Sequence, residues 1–424
     1  MNDRTTPHPH SLTAEQFAAL ASGGGEDAVG QLVAGQRSKH LILLSAIADL
    51  ARRGDRPDDG LAVAGQELLA QVQQEDKAAA DEVIGYPSVG SWALHTVRGG
   101  QAIPGARPSG LAAVAAAAAV KAGLDVEIQV PVVDGTVLLP SLGTADAVGS
   151  TAVVAARAAE VRSGERCVEM RAGAPGWQEL RPVAVGALRV LVDDLDPFRM
   201  PATDGEPTGR LTPTQVAELH ASLGAAWPLL SPARAAEVAA IVRVIVPYQA
   251  PDSGLVSTSS PQAFGTVAMS RQPDKYTCAE TLVHETQHLK LCALLDLVTL
   301  TRPDDGQRYY APWRSDPRPA SGLLQGAYAF LGVSGFWREQ RRTAPELEVR
   351  QRAQANFARW RDGAAEVVGT LLGSGQLTEL GQTFAGEMAT VLDAWRREPV
   401  PGDALAAAQR MAGRHLTQWH ADNG

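Results

Sequence analysis

His284 and His288 stand four residues apart in Cys278-Ala-Glu-Thr-Leu-Val-His284-Glu285-Thr-Gln-His288-Leu-Lys-Leu-Cys292. On a helix that spacing puts both imidazoles on one face, a turn apart, where they can share a metal ion. Leu282, Val283, Leu289, Leu291, Leu294 and Leu295 recur at helical spacing and would bury the carrying helix, with Glu280 and Thr281 in its first turn. Glu285 follows the first histidine, as the general base does in zinc hydrolases with a His-Glu-x-x-His helix.

Two histidines leave a metal site unfinished. No third histidine follows within a dozen residues; the next are His415 and His420. A carboxylate is the expected third ligand, from Asp296, Asp316, Glu339 or Glu366. Asp296 lies too far along the same helix to reach the same ion. Asp316 sits between Arg314 and Arg318, where a salt-bridged loop is the alternative use, and Glu339 falls on a charged helix face. Two histidines and a carboxylate describe both catalytic zinc and the facial triad of non-haem Fe(II) oxygenases. An oxygenase using 2-oxoglutarate needs a cation for the co-substrate's carboxylate, which Arg314 and Arg318 suit.

The chain of 424 residues is 45% hydrophobic and 20% charged, ordinary globular composition with length for two or three cores. A formal charge of -9 argues against a nucleic-acid partner. The three cysteines, Cys167, Cys278 and Cys292, form neither a disulfide framework nor a thiolate metal site, which fits a reducing cytoplasm. Neither a signal peptide at the N-terminus nor a run of 18 apolar residues is present, so no membrane association is expected. The sequence says nothing about oligomeric state.

The expected class is α+β, predominantly helical, in three successive regions: helical 1–123, a β-rich insert at 124–200, and a helical metal-binding region at 201–424. Thr13 and Gln16 form a capping-box pattern before a short helix; 27–53 and 61–83 read as two long helices; Tyr86-Pro-Ser-Val-Gly-Ser-Trp92 reads as a turn-rich segment, and 111–122 as an Ala-rich helix capped by Gly123. Asp134-Gly135 marks a two-residue hairpin among short strands. Asp193-Asp-Leu-Asp reads as a solvated turn. Ser231-Pro232 opens a helix expected to reach residue 246, and 263–270 an edge strand of the kind that runs beside the metal helix in zinc peptidases. An irregular stretch at 301–321 precedes four helices, broken at Pro345, Gly373-Ser-Gly375 and Pro399-Val-Pro401.

Several stretches together resemble the His-Glu-x-x-His peptide-modification proteins, the 2-oxoglutarate-dependent peptide β-hydroxylases. They are Gln36-Arg-Ser-Lys-His-Leu, Tyr86-Pro-Ser-Val-Gly-Ser-Trp92, Ala263-Phe-Gly265, the motif segment from Ala279 to Leu291, Tyr310-Ala-Pro-Trp-Arg-Ser-Asp-Pro-Arg-Pro319, Gly322-Leu-Leu-Gln-Gly-Ala-Tyr-Ala-Phe-Leu-Gly-Val333 and Phe336-Trp-Arg338. The resemblance implies Fe(II), 2-oxoglutarate and O2, and hydroxylation of a side-chain β-carbon in a ribosomally made precursor peptide. It makes His284 and His288 iron ligands, with Asp316 as third ligand and Arg314 and Arg318 as co-substrate residues. Ser315 stands where the family often has a second acid. Trp313, Gln325 and Tyr328 would line the pocket, and the β-rich insert or the N-terminal helices would recruit the peptide by strand addition. The alternatives are a zinc metallopeptidase with Glu285 as base and a non-catalytic peptide-binding protein with a structural metal.

Overall fold

Thr13 closes a capping box with Gln16, each side chain bonded to the other's backbone N–H, and so starts the first helix of this computed structural model. The structure describes residues 10–99, 103–201, 205–251 and 254–423; the N-terminal residues through Pro9, and Gly100, lie outside them. It is mixed α+β and 55% helical. The helices of the first part are α1 (Ala14–Ala21), α2 (Glu26–Arg53), α3 (Asp59–Glu75), α4 (Lys77–Ile84), α5 (Pro87–Val97) and α6 (Gly110–Ala122). Nine short strands follow: β1 (Glu127–Pro131), β2 (Thr136–Leu139), β3 (Gly143–Asp146), β4 (Thr151–Ala155), β5 (Glu160–Ser163), β6 (Arg166–Glu169), β7 (Trp177–Glu179), β8 (Arg181–Val185) and β9 (Leu188–Val192). Then come α7 (Pro213–Ala226), α8 (Pro232–Ile241), β10 (Val244–Pro247), β11 (Ser257–Thr258), β12 (Thr266–Met269), α9 (Lys275–Leu295), α10 (Ala320–Thr343), α11 (Leu347–Gly373), α12 (Glu379–Arg396) and α13 (Gly402–Asn423). No helix among the described residues is long and apolar enough to cross a membrane.

The chain divides into two units that alternate along the sequence: residues 1–35, 222–241 and 273–424 form one, and 36–221 with 242–272 the other. These differ from three consecutive regions, because segments distant in sequence supply each core.

In the second unit α6 is buried along its whole length from Leu111 to Ala119. Its alanines leave no ridge, so neighbouring backbones come close; Gly65 of α3 faces the Ala112 backbone directly. The strands form a four-stranded sheet ordered β1-β4-β5-β6, a three-stranded sheet β2-β3-β7, and a five-stranded sheet β11-β12-β10-β9-β8 in which β9, β10 and β12 run parallel. Asp134 and Gly135 do form the two-residue turn, both at positive φ, but β1 pairs with β4 rather than across that turn with β2.

Five expectations are corrected, four of them in the secondary structure. The helix expected over 61–83 is two, because Asp76 leaves helical geometry and its side chain caps Ala79 N–H of α4. The turn-rich stretch after Tyr86 is α5, with Pro87 at its first position. Gly90 is required there, since a Cβ would meet the His40 imidazole at 2.1 Å. The helix from Pro232 stops at Ile241, and 244–247 is a fully buried strand. Finally β12 lies between β11 and β10, so it is no edge strand, and it belongs to the unit that does not contain α9.

The Asp193–Asp196 turn is likewise buried, not solvated. Tyr86 donates to Asp193 Oδ2 at 2.7 Å, Ser88 donates to Asp196, and Arg181 and Arg210 both bind Asp194. Burial, then the neighbouring Asp193, pushes the Asp196 carboxyl up to about 7. A buried carboxyl needs such partners, and these come from segments that no local pattern links.

Gly65→Ala would put a Cβ 2.6 Å from the Ala112 backbone nitrogen, which cannot rotate away. We expect a loss of about 1–3 kcal/mol, read as a lower urea midpoint; an unchanged midpoint would refute the close α3–α6 approach.

Candidate metal centre

α9 begins where Asp274 Oδ1 accepts from Tyr276 N–H (2.7 Å) and Thr277 N–H (3.0 Å), an N-cap one turn earlier than the apolar pattern alone suggests. His284 and His288 emerge half-buried from an otherwise largely buried helix. Their Nε2 atoms are 3.1 Å apart. With metal–nitrogen bonds of about 2.1 Å, two such nitrogens would subtend about 95° at a shared ion.

Gln325 of α10 accounts for the tautomer. Its Oε1 lies 3.2 Å from His288 Nδ1, so Nδ1 donates to the amide and Nε2 carries the lone pair. The amide is itself oriented by a contact from Nε2 to Cys292 Sγ at 3.6 Å. Without metal, His284 Nε2–H can donate to His288 Nε2. Burial, and secondarily His288, holds the His284 pKa well below its ordinary value, keeping it neutral as a ligand must be. Two neutral imidazole nitrogens are donors that zinc and Fe(II) both take.

An aromatic wall backs the pair. Phe330 of α10 meets His284 edge-on at 5.1 Å, Trp313 stacks on Phe330 at 4.5 Å, and Trp360 of α11 packs against Phe330 at 4.5 Å. Two glycines seat the loop bearing Trp313: a Cβ at Gly326 would lie 2.4 Å from the indole, and one at Gly363 would lie 3.3 Å from Pro312. The loop's neck is closed by paired backbone bonds between Tyr309 and Arg318, at 2.8 and 2.9 Å.

The carboxylates fall as follows. Asp316 accepts from Arg314 Nε at 2.8 Å and from Arg318 at 2.9 Å. Burial opposes its ionisation, but these hydrogen bonds outweigh it and take the carboxyl down to about 2. The salt-bridged alternative is thus what the geometry displays for this loop. Glu339 pairs with Arg234, and Asp296 ends α9 as its C-cap. Among the described residues no three His, Cys, Asp or Glu side chains gather as a metal-holding group. Glu285 is 1% exposed. Of the expected pocket residues, Gln325 contacts His288 and Trp313 stacks on Phe330, one ring away from His284; Tyr328 is fully buried and donates to Leu20 O at 2.7 Å.

The far side of α9 is fastened as tightly. Lys290 is wholly buried, with Nζ 2.6 Å from Gly24 O, 3.3 Å from Gly23 O and 3.0 Å from Glu237 Oε2. Gln287 also donates to Gly23 O.

Sequence reasoning passed over two groups here. Glu280 stands one turn before His284, continuing the four-residue spacing, which was the available signal. Burial raises its carboxyl to about 7 against smaller lowering effects of Trp337 and Arg352. Arg359, on α11, is a further charged neighbour of Glu280. Neither a protein-family model nor a curated protein matches the chain.

Gln325→Leu should leave the fold intact while weakening Co(II) binding about 10- to 100-fold, measured by visible titration. Unchanged affinity would show that the His288–Gln325 bond does not select the ligating tautomer. Because the folded chain holds the Glu280 proton more tightly than the unfolded chain, this group's stabilising contribution is complete below about 4.5 and fades as pH rises to about 7. Glu280→Gln should therefore flatten the fall in denaturant midpoint across that window, and a slope equal to wild type would sink this assignment.

Proposed function

We propose that the protein is an Fe(II)- and 2-oxoglutarate-dependent oxygenase that hydroxylates a β-carbon of a ribosomally made precursor peptide. The observation that carries the reading is the convergence of two Nε2 atoms at 3.1 Å, one with its tautomer set by Gln325, against a wall of three aromatic rings. Fe(II) bound there would supply the chemistry in which O2 converts C–H to C–OH while 2-oxoglutarate becomes succinate and CO2. His284 and His288 would hold the ion. Phe330, Trp313 and Trp360 would exclude water and flank the target side chain.

The zinc-peptidase reading asks Glu285 to take a proton from water, and the burial of that side chain argues against it. Asp316 as third ligand would require its release from Arg314 and Arg318, so among the described residues the ligands that stand together without rearrangement are the two histidines.

Anaerobic reconstitution with Fe(II) and 2-oxoglutarate should produce a weak visible charge-transfer band that is absent in His284→Ala and retained in Glu285→Gln. Tight zinc binding with no such band, and peptide cleavage lost in Glu285→Gln, would instead establish the hydrolase.

A further inference from the structure

Several arginines packed around the C-terminal helices are matched to acids: Arg234 to Glu339, Arg338 and Arg341 to Glu398, Arg361 to Asp362. Arg359 is different. It is half-buried, and its guanidinium contacts the thioether sulfur of Met411 at 3.8 Å, a weak acceptor, and the face of the Trp360 ring. Among the described residues no carboxylate forms an ion pair with it; burial lowers its pKa, and its titratable neighbours are Tyr310, a neutral phenol, Arg414 and Glu280. A guanidinium held by a thioether and a ring face keeps strong donors to offer an anion.

Its position ties it to the histidines. The guanidinium lies 4.1 Å from the Trp360 ring centre, Trp360 lies 4.5 Å from Phe330, and Phe330 lies 5.1 Å from His284. Tyr310, on the loop that presents Trp313, has its hydroxyl 2.9 Å from His415 Nδ1. Arg359, Arg414, His415 and a phenol therefore gather at one end of the aromatic row, a collection suited to a carboxylate.

We propose that Arg359, with Tyr310 beside it, is a carboxylate-binding site, and that its occupant is the carboxylate of the 2-oxo acid remote from the oxo group. The proposal rests on the oxygenase reading and moves the co-substrate's anchor from Arg314 and Arg318, already held by Asp316, to α11. An acidic side chain of the peptide offers the same chemistry, so the experiment separates the two sources.

The full-length protein, metal-free and Co(II)-loaded, would be titrated with 2-oxoglutarate, with glutarate, and with an N-acetylated glutamyl peptide amide. Binding would be followed by tryptophan emission and calorimetry. Both free diacids should bind the wild type, and Arg359→Gln should weaken them about 10- to 100-fold. Arg359→Lys should fall between, and Arg314→Gln with Arg318→Gln should change little. The Co(II) spectrum, unchanged in Arg359→Gln, would report that the fold and the histidine pair survive. Diacid binding that is equal in Arg359→Gln and wild type, or undetectable in wild type with and without Co(II), would overturn the proposal. Arg359-dependent binding of the peptide alone would overturn the co-substrate assignment. Arg359-dependent glutarate binding in a chain that takes up no Co(II) would uphold the carboxylate site and reject the oxygenase reading.

Discussion

An ammonium group wholly removed from water must find its hydration replaced by the protein, and Lys290 imposes that demand on everything behind the histidine pair. Its three partners come from the Gly23–Gly24 turn and from α8, and the Tyr328 ring stands 5.9 Å away. Removing the Glu237 carboxylate would leave the buried ammonium without its counter-charge, which is far more destabilising than the pair is stabilising. The helix presenting His284 and His288 is thereby fixed in rotation as well as position. Rotation matters most, because a turn of α9 about its axis would separate the two Nε2 atoms from Gln325 and Phe330 together.

The front of α9 is organised by close approach rather than by charge. Gly326 admits the Trp313 indole, Gly363 admits Pro312, and the aromatic row follows from those two contacts. A loop with no helix or strand of its own is held as firmly as a strand would be, through the Tyr309–Arg318 backbone pair at its neck and the Asp316 bridge within it. The Asp316 bridge also accounts for the low carboxyl pKa: the loop's acid neutralises the loop's own arginines.

What was legible in the sequence is what local rules govern. The capping box at Thr13, the Ala-rich α6 with its Gly123 cap, the turn at Asp134-Gly135 and the four C-terminal helices with their proline and glycine breaks all follow from caps, periodicity and turn chemistry. The misread segments are those where a distant partner decides. Tyr86 to Trp92 has the composition of a turn, but His40 fills the space beside Gly90 and the Trp92 ring packs against Gly110, so a helix is the conformation that fits. The Asp193–Asp196 acids look solvent-seeking until Tyr86, Ser88, Arg181 and Arg210 are placed around them. At the candidate site the histidine pair was legible from spacing. Gln325 was placed in the pocket wall, although its bond sets a tautomer, and Arg359 sits in a charged helix with nothing local to mark it.

The alternation of the two units along the chain fixes an order of assembly. During synthesis α1 and the glycine turn precede the rest of their unit, yet Gly24 waits for a lysine 266 residues later in the sequence. Every residue of the other unit, through 272, is made before α9 begins. That unit can therefore condense while the N-terminal 35 residues remain without their partners. The histidine pair and its aromatic wall are translated after it, so a chain that stops short of α13 keeps both histidines and the three rings yet lacks Met411, Arg414 and His415 around Arg359.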